Sequence, residues 1–134
     1  MKYPSSTLGM RHVALFVQDL PACLHFYVEL MGMTVEWQPD PENYYLTTAG
    51  QDNLALHQAS EARQGRDTAL DHIGFMLATE DEVDRWYAFL GEAGVTMKTE
   101  PRTHRDGARS FYCFDPDGNT VQIIYHPPVA RAAR

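Results

Sequence analysis

Two stretches of the chain set apolar and polar positions in the same alternating order, 60 residues apart: His12-Val13-Ala14-Leu15-Phe16-Val17 and His72-Ile73-Gly74-Phe75-Met76-Leu77. Side chains two apart share one face of a strand, so each stretch predicts a strand that opens on a histidine. After the first, Asp19 is placed to cap a helix that carries Leu20, Leu24, Tyr27 and Met31 on one stripe and stops at Gly32. After the second, Thr79 and Glu82 form a T-x-x-E capping box. Val83, Trp86 or Tyr87, and Leu90 make the stripe there, and Gly94 makes the stop. Phe26-Tyr27 and Trp86-Tyr87 keep the same 60-residue offset, so the register of the repeat persists through the helix.

Further strands are expected at Thr34 to Trp37, Tyr44 to Thr48 and Asn53 to His57, and at Thr96 to Thr99, Ser110 to Phe114 and Thr120 to Tyr125. Turn chemistry separates them at Pro39-Asp40-Pro41, at Gly50-Gln51-Asp52-Asn53 and at Asp115-Pro116-Asp117-Gly118-Asn119. The reading is α+β: one domain over residues 1–134 built from two tandem β-α-β-β-β modules. Module one spans about 10–59, a polar linker about 60–69, and module two about 70–127.

A chain of 134 residues with 44% hydrophobic content can build an ordinary core without staples. Cys23 and Cys113 lie in apolar surroundings with no second thiol at metal-ligand spacing, which predicts buried free thiols in a reducing compartment. The opening MKYPSSTLGM has no apolar core of the signal-peptide kind, and no run approaches the roughly 18 apolar residues of a membrane span. A cytoplasmic protein with no membrane partner is expected. The net charge of -7 offers no basic face to displace counterions, so nucleic acid is not an expected partner either.

Four segments together, RHVALFVQDL with FYVELMGM, LDHIGFML, SFYCFDPDGNTVQII and the register between them, resemble the vicinal-oxygen-chelate superfamily of glyoxalase I, extradiol dioxygenases and bleomycin-resistance proteins. The resemblance covers about residues 10–127. It implies modules whose mixed sheets curl into a cup, with a divalent metal held by residues on the first and last strands. Strand parity gives His12 the face of Ala14 and Phe16, and His72 the face of Gly74 and Met76, while Val13, Leu15 and Val17 form the apolar face expected under helices. On the last strand Val121, Ile123 and Tyr125 face the helices, so Gln122 points to the histidine side. The resemblance thus implies His12, His72 and Gln122 as metal ligands, with Gln122 where the family usually carries glutamate. A neutral amide gives a cation no compensating charge and weakens binding relative to a carboxylate. Aligning Asn53 with Asn119 sets Leu56 opposite Gln122, where the glyoxalase branch has its fourth ligand. Leucine cannot bind a cation, and alternation then puts His57 on the other face unless a bulge turns it.

Extradiol dioxygenases place a histidine and then a tyrosine ahead of the final ligand, and His104 and Tyr112 stand close to those positions before Gln122. The resemblance implies catalytic roles for both, His104 moving a proton and Tyr112 donating a hydrogen bond to a substrate oxygen. Arg105 and Arg109 are candidates to bind a substrate carboxylate, and His57 is a further substrate-binding candidate. The expectation is a metal-dependent, dioxygenase-like enzyme acting on a small molecule through Fe(II) or Mn(II), with Zn or Ni also possible, assembled as a homodimer. The alternatives are a metal-free ligand-binding protein of the bleomycin-resistance kind, with no cofactor, and a glyoxalase-type lyase or isomerase.

Overall fold

The computed structural model describes Pro4, Leu8 and residues 10–61 and 70–132. Most of the expected linker, 62–69, lies outside the described residues. The chain divides into two compact units, Met1–Ala62 and Arg63–Arg134.

The first unit runs β1 (His12–Val17), α1 (Leu20–Leu24) continuing as a π-helix (His25–Leu30), β2 (Thr34–Asp40), β3 (Asn43–Thr47) and β4 (Asn53–Gln58). Its mixed sheet has the order β1-β4-β3-β2, with β1 parallel to β4 and the other pairs antiparallel. Asp19 caps α1, its carboxylate accepting from the Ala22 amide at 3.1 Å, and Gly32 ends the segment at φ +80°. The widened turn changes the expected stripe. Met31 N–H reaches back five residues to the Phe26 carbonyl at 2.9 Å, and the buried set is Leu20, Cys23, Phe26, Tyr27 and Met31, with Leu24 only half-buried. One additional residue in the turn lets Phe26 and Tyr27 both point inward, ring edge to ring face at 4.9 Å.

The second unit repeats that design with β5 (Ile73–Leu77), α2 (Glu80–Glu92), β6 (Arg102–Thr103), β7 (Arg109–Phe114) and β8 (Thr120–Tyr125), followed by α3 (Pro127–Ala132). The sheet order is β5-β8-β7-β6, again with the outer first strand parallel to the last. α2 lies on β7 and β8 and buries Val83 and Leu90, and Tyr87 meets Phe111 edge-on at 5.2 Å. Fully burying each such large apolar side chain contributes about 1.5–3 kcal/mol. The Thr79 hydroxyl donates to the Glu82 carboxylate at 2.7 Å rather than capping the backbone. Gly94 ends α2 at φ +85°.

Three expectations shift. Thr96 to Thr99 follows β7 only through an isolated bridge and scattered bonds, and the paired outer strand is β6. β2 continues through Pro39 to Asp40, since proline at a sheet edge leaves no ladder partner unmatched. α3 opens on Pro127-Pro128, where proline's fixed φ suits a first helical turn. The Asp115 to Asn119 turn holds as expected: buried Asp115 accepts from the amides of Asp117 and Asn119, both at 2.9 Å. No helix of the described residues is long and apolar enough to cross a membrane.

Candidate functional site

In the first unit the register sets His12 beside Asn53 and Phe16 beside His57 across β1 and β4. His12, Phe16, Asn53, Ala55 and His57 therefore share one face, while Leu15, Val17, Leu54 and Leu56 are buried on the other. This corrects the alignment of Asn53 with Asn119. In the second unit Gln122 pairs with Gly74, and the position of the first unit with the same register is Ala55, paired with Ala14. Alanine offers a cation nothing either, so the lack of a fourth ligand there stands on a different residue. His57 needs no bulge to reach the face of His12, but four residues of strand put it about 13 Å further along.

His12 and His57, the two histidines on this face, are each oriented through an asparagine. The bulge between Val35 and Trp37 leaves Glu36 out of register, and its carboxylate accepts from Asn53 Nδ2 at 3.1 Å. Asn53 Oδ1 is thereby turned to His12 Nδ1, 2.8 Å away. An amide oxygen only accepts, so His12 donates from Nδ1, and Nε2 is the nitrogen left out of this bond. Asp40, Asn43 and His57 repeat the relay: Asn43 Nδ2 donates to both Asp40 oxygens at 2.9 Å, and His57 Nδ1 lies 2.6 Å from Asn43 Oδ1. The bond from Asn43 holds the Asp40 carboxyl below its ordinary value. Phe16 and Tyr45 flank the His57 ring at 5.5 and 5.9 Å, and Trp37 stacks on Tyr45 at 4.9 Å. Phe16 and Trp37 are largely exposed.

In the second unit Asp71 takes the place of the asparagine, its Oδ2 lying 2.6 Å from His72 Nδ1. That bond lowers the Asp71 pKa and commits Nδ1 of His72 as the donor, with Nε2 on the other side of the ring. Tyr112 pairs with Gln122 across β7 and β8 and meets the His72 ring edge to face at 5.4 Å. His72, Tyr112 and Gln122 are thus neighbours on one face, as parity predicts. Gln122 Nε2 donates to the Ser110 hydroxyl at 3.1 Å, which leaves Oε1 as the outward atom of the amide. His104 stands at the tip between β6 and β7, where its ring Nε2 lies 3.3 Å from the same hydroxyl. Arg102, Thr103, His104, Arg105 and Asp106 line an open pocket there.

Arg109 departs from the expectation. It falls on the helix-side parity of β7, and its guanidinium is engaged by both Asp84 oxygens, at 2.8 and 3.0 Å, and by the Thr103 hydroxyl at 3.0 Å. Those bonds raise the Arg109 pKa and lower that of Asp84. The cations left on the loop are Arg102 and Arg105, both exposed. Asn53, Asp71 and Ser110 were not singled out from the sequence as partners, although each sits next to, opposite or two residues from a candidate.

Imidazole nitrogen and amide oxygen, the donor types that His12 offers in the first unit and His72 and Gln122 offer in the second, are both types that divalent transition metals accept. The chain is 32% identical over 130 residues to the glutathione transferase FosA of Serratia marcescens, covering 93% of this chain and 86% of that protein. It is 30% identical over 128 residues to an uncharacterised protein of Pseudomonas aeruginosa, with 90% of each covered. Lactoylglutathione lyase from Agrobacterium tumefaciens shares the fold, with a TM-score of 0.73 at 22% identity over 92% of this chain and 96% of that one. A family model matches residues 9–123, and the chain belongs to the family it describes, the Glyoxalase/Bleomycin resistance protein/Dioxygenase superfamily.

Proposed function

We propose that this protein is a metal-dependent enzyme acting on a small oxygen-bearing molecule, with His12, His72 and Gln122 as ligands. The observation that carries the reading is the orientation of the histidines: both have Nδ1 hydrogen-bonded to a side-chain oxygen, the arrangement that presents Nε2 to a cation. Two imidazoles and an amide oxygen that leave positions open suit Fe(II) or Mn(II), and Zn or Ni also fits the nitrogen donors. When bound, the ion supplies a Lewis acid that polarises a substrate oxygen. Tyr112, beside His72, donates a hydrogen bond to that oxygen. Arg102 and Arg105 attract an anionic group of the substrate, and His57 Nε2 accepts from a substrate hydroxyl while Phe16, Tyr45 and Trp37 offer it an apolar surface.

Two reactions fit this assignment. Ring-opening oxygenation is supported by Tyr112 and by His104 as the proton-handling group of the loop. Transfer of a thiol is supported by the 32% identity to a glutathione transferase. Protein purified under anaerobic, metal-supplemented conditions should carry one divalent ion per chain, and His72→Ala should lose it. Wild-type protein with no more metal than the His12→Ala, His72→Ala double variant would leave the metal-free binding protein as the reading. With Fe(II), dioxygen uptake on a panel of catechols identifies the first reaction. With Mn(II), glutathione consumption on a panel of electrophiles identifies the second.

A further inference from the structure

Ser110 is 2% exposed, and its hydroxyl is the meeting point of Gln122 Nε2 at 3.1 Å and His104 Nε2 at 3.3 Å. A hydroxyl has one proton to give and two lone pairs. When it accepts from the Gln122 NH2 group, its own proton is directed to His104, whose Nε2 must then carry a lone pair. In the opposite arrangement His104 Nε2–H donates to Ser110, Ser110 donates to the amide oxygen, and the NH2 end of Gln122 turns outward. Only the first arrangement offers an oxygen to a cation.

We propose that Ser110 is a positioning residue that couples the tautomer of His104 to which end of the Gln122 amide faces outward. This rests on the reading of Gln122 Oε1 as a ligand, yet the coupling itself exists without any metal. The two arrangements are each internally satisfied, and mixing them brings two donors or two acceptors together at the buried Ser110 hydroxyl. Ser110 therefore acts as a two-position junction: protonation at His104 Nε2 withdraws the amide oxygen, and the lone pair there presents it.

The test uses metal-free full-length protein and the imidazole nitrogen shifts of His104, measured by NMR above the titration range of histidine. Wild-type His104 is expected as the Nδ1–H tautomer. Gln122→Glu replaces the amide with a group that only accepts, so Ser110 must donate to it and His104 is expected to switch to Nε2–H. Ser110→Ala, Gln122→Glu should show no switch relative to Ser110→Ala, and Ser110→Thr, which keeps the hydroxyl, should restore it. An unchanged His104 tautomer in Gln122→Glu, or the same change with and without the Ser110 hydroxyl, overturns the coupling. Metal content measured on the same samples tests the ligand reading separately, since the tautomer is read with no metal present.

Discussion

Gly74 lies directly opposite Gln122 in the parallel pairing of β5 with β8, and a Cβ at position 74 would stand 3.6 Å from the Gln122 carbonyl and 3.9 Å from its amide oxygen. Both are ordinary van der Waals distances. Gly74→Ala is therefore expected to fold and to gain about 0.5 kcal/mol, because it removes backbone freedom from the unfolded chain. Gly74→Val extends methyl groups over Oε1 and is expected to weaken metal binding about tenfold or more, worth ~1.4 kcal/mol. Urea unfolding and metal titration of the two variants separate these effects. Equal metal affinity in wild type and Gly74→Val would remove Oε1 from the ligand set.

Gln122→Glu changes charge at nearly constant shape. With a cation bound, the added negative charge is expected to tighten it by about tenfold, since ~1.4 kcal/mol suffices and a close ion pair in a partly buried position supplies that much. With chelator present, the same carboxylate has no cation to face, and its desolvation should lower the melting temperature below that of wild type. Unchanged affinity together with unchanged stability would place position 122 in solvent.

The Asp84–Arg109 pair links α2 to β7, and Asp84→Asn should cost only about 0.5 kcal/mol, because the Asp84 side chain is 54% exposed. Hydrogen bonds from Arg109 hold the Asp84 carboxyl below its ordinary value of 3.8. A group with a lower pKa folded than unfolded contributes fully above its unfolded value and loses that contribution as pH falls through the folded one. The stability gap between wild type and variant should therefore be complete at neutral pH and close on acidification below 3.8. A gap that widens in acid would contradict this assignment.

Neither thiol should react in the native state. Cys23 and Cys113 are both fully buried, and burial, with the nearby Asp115 charge, pushes the Cys113 thiol up to about 12. A chromogenic disulfide reagent at pH 8 is expected to remain unconsumed by folded protein and to report both thiols after denaturation. Rapid labelling of one thiol without unfolding would mean that its surroundings open locally.

Assembly is the remaining expectation. Light scattering at micromolar concentration should return twice the 15.2 kDa of one chain. A single-chain mass would mean that each copy completes its own site.

Periodicity made most of this fold legible. The alternation of His12 to Val17 and of His72 to Leu77 located β1 and β5, and the offset of Phe26-Tyr27 from Trp86-Tyr87 located both helical segments. Parity also ordered the faces correctly for His72, Tyr112 and Gln122. It does not serve Arg109, which stands one residue before the strand expected from Ser110: β7 already runs there, and strand parity turns that side chain toward Asp84. It failed for Leu56 because matching Asn53 to Asn119 by residue type ignored that the Asp115 turn places Thr120, not Asn119, at the first position of β8. The histidine partners were hidden for another reason. Glu36 reaches Asn53 only through a bulge, and local composition does not announce which residue a bulge leaves over.

The π-helical turn at His25–Leu30 makes residue count, as well as residue type, a constraint on that segment. A plain α-helix would cover the same path with one residue fewer, so taking one out would turn this stretch into ordinary α-helix while everything before and after it kept its register. Phe26 and Tyr27 could then no longer both reach the sheet. Two chains differing by a single deletion in this turn would keep nearly the same composition and the same hydrophobicity, yet offer different surfaces to β4. In this stretch the number of residues, as much as their identity, decides which side chains the core receives.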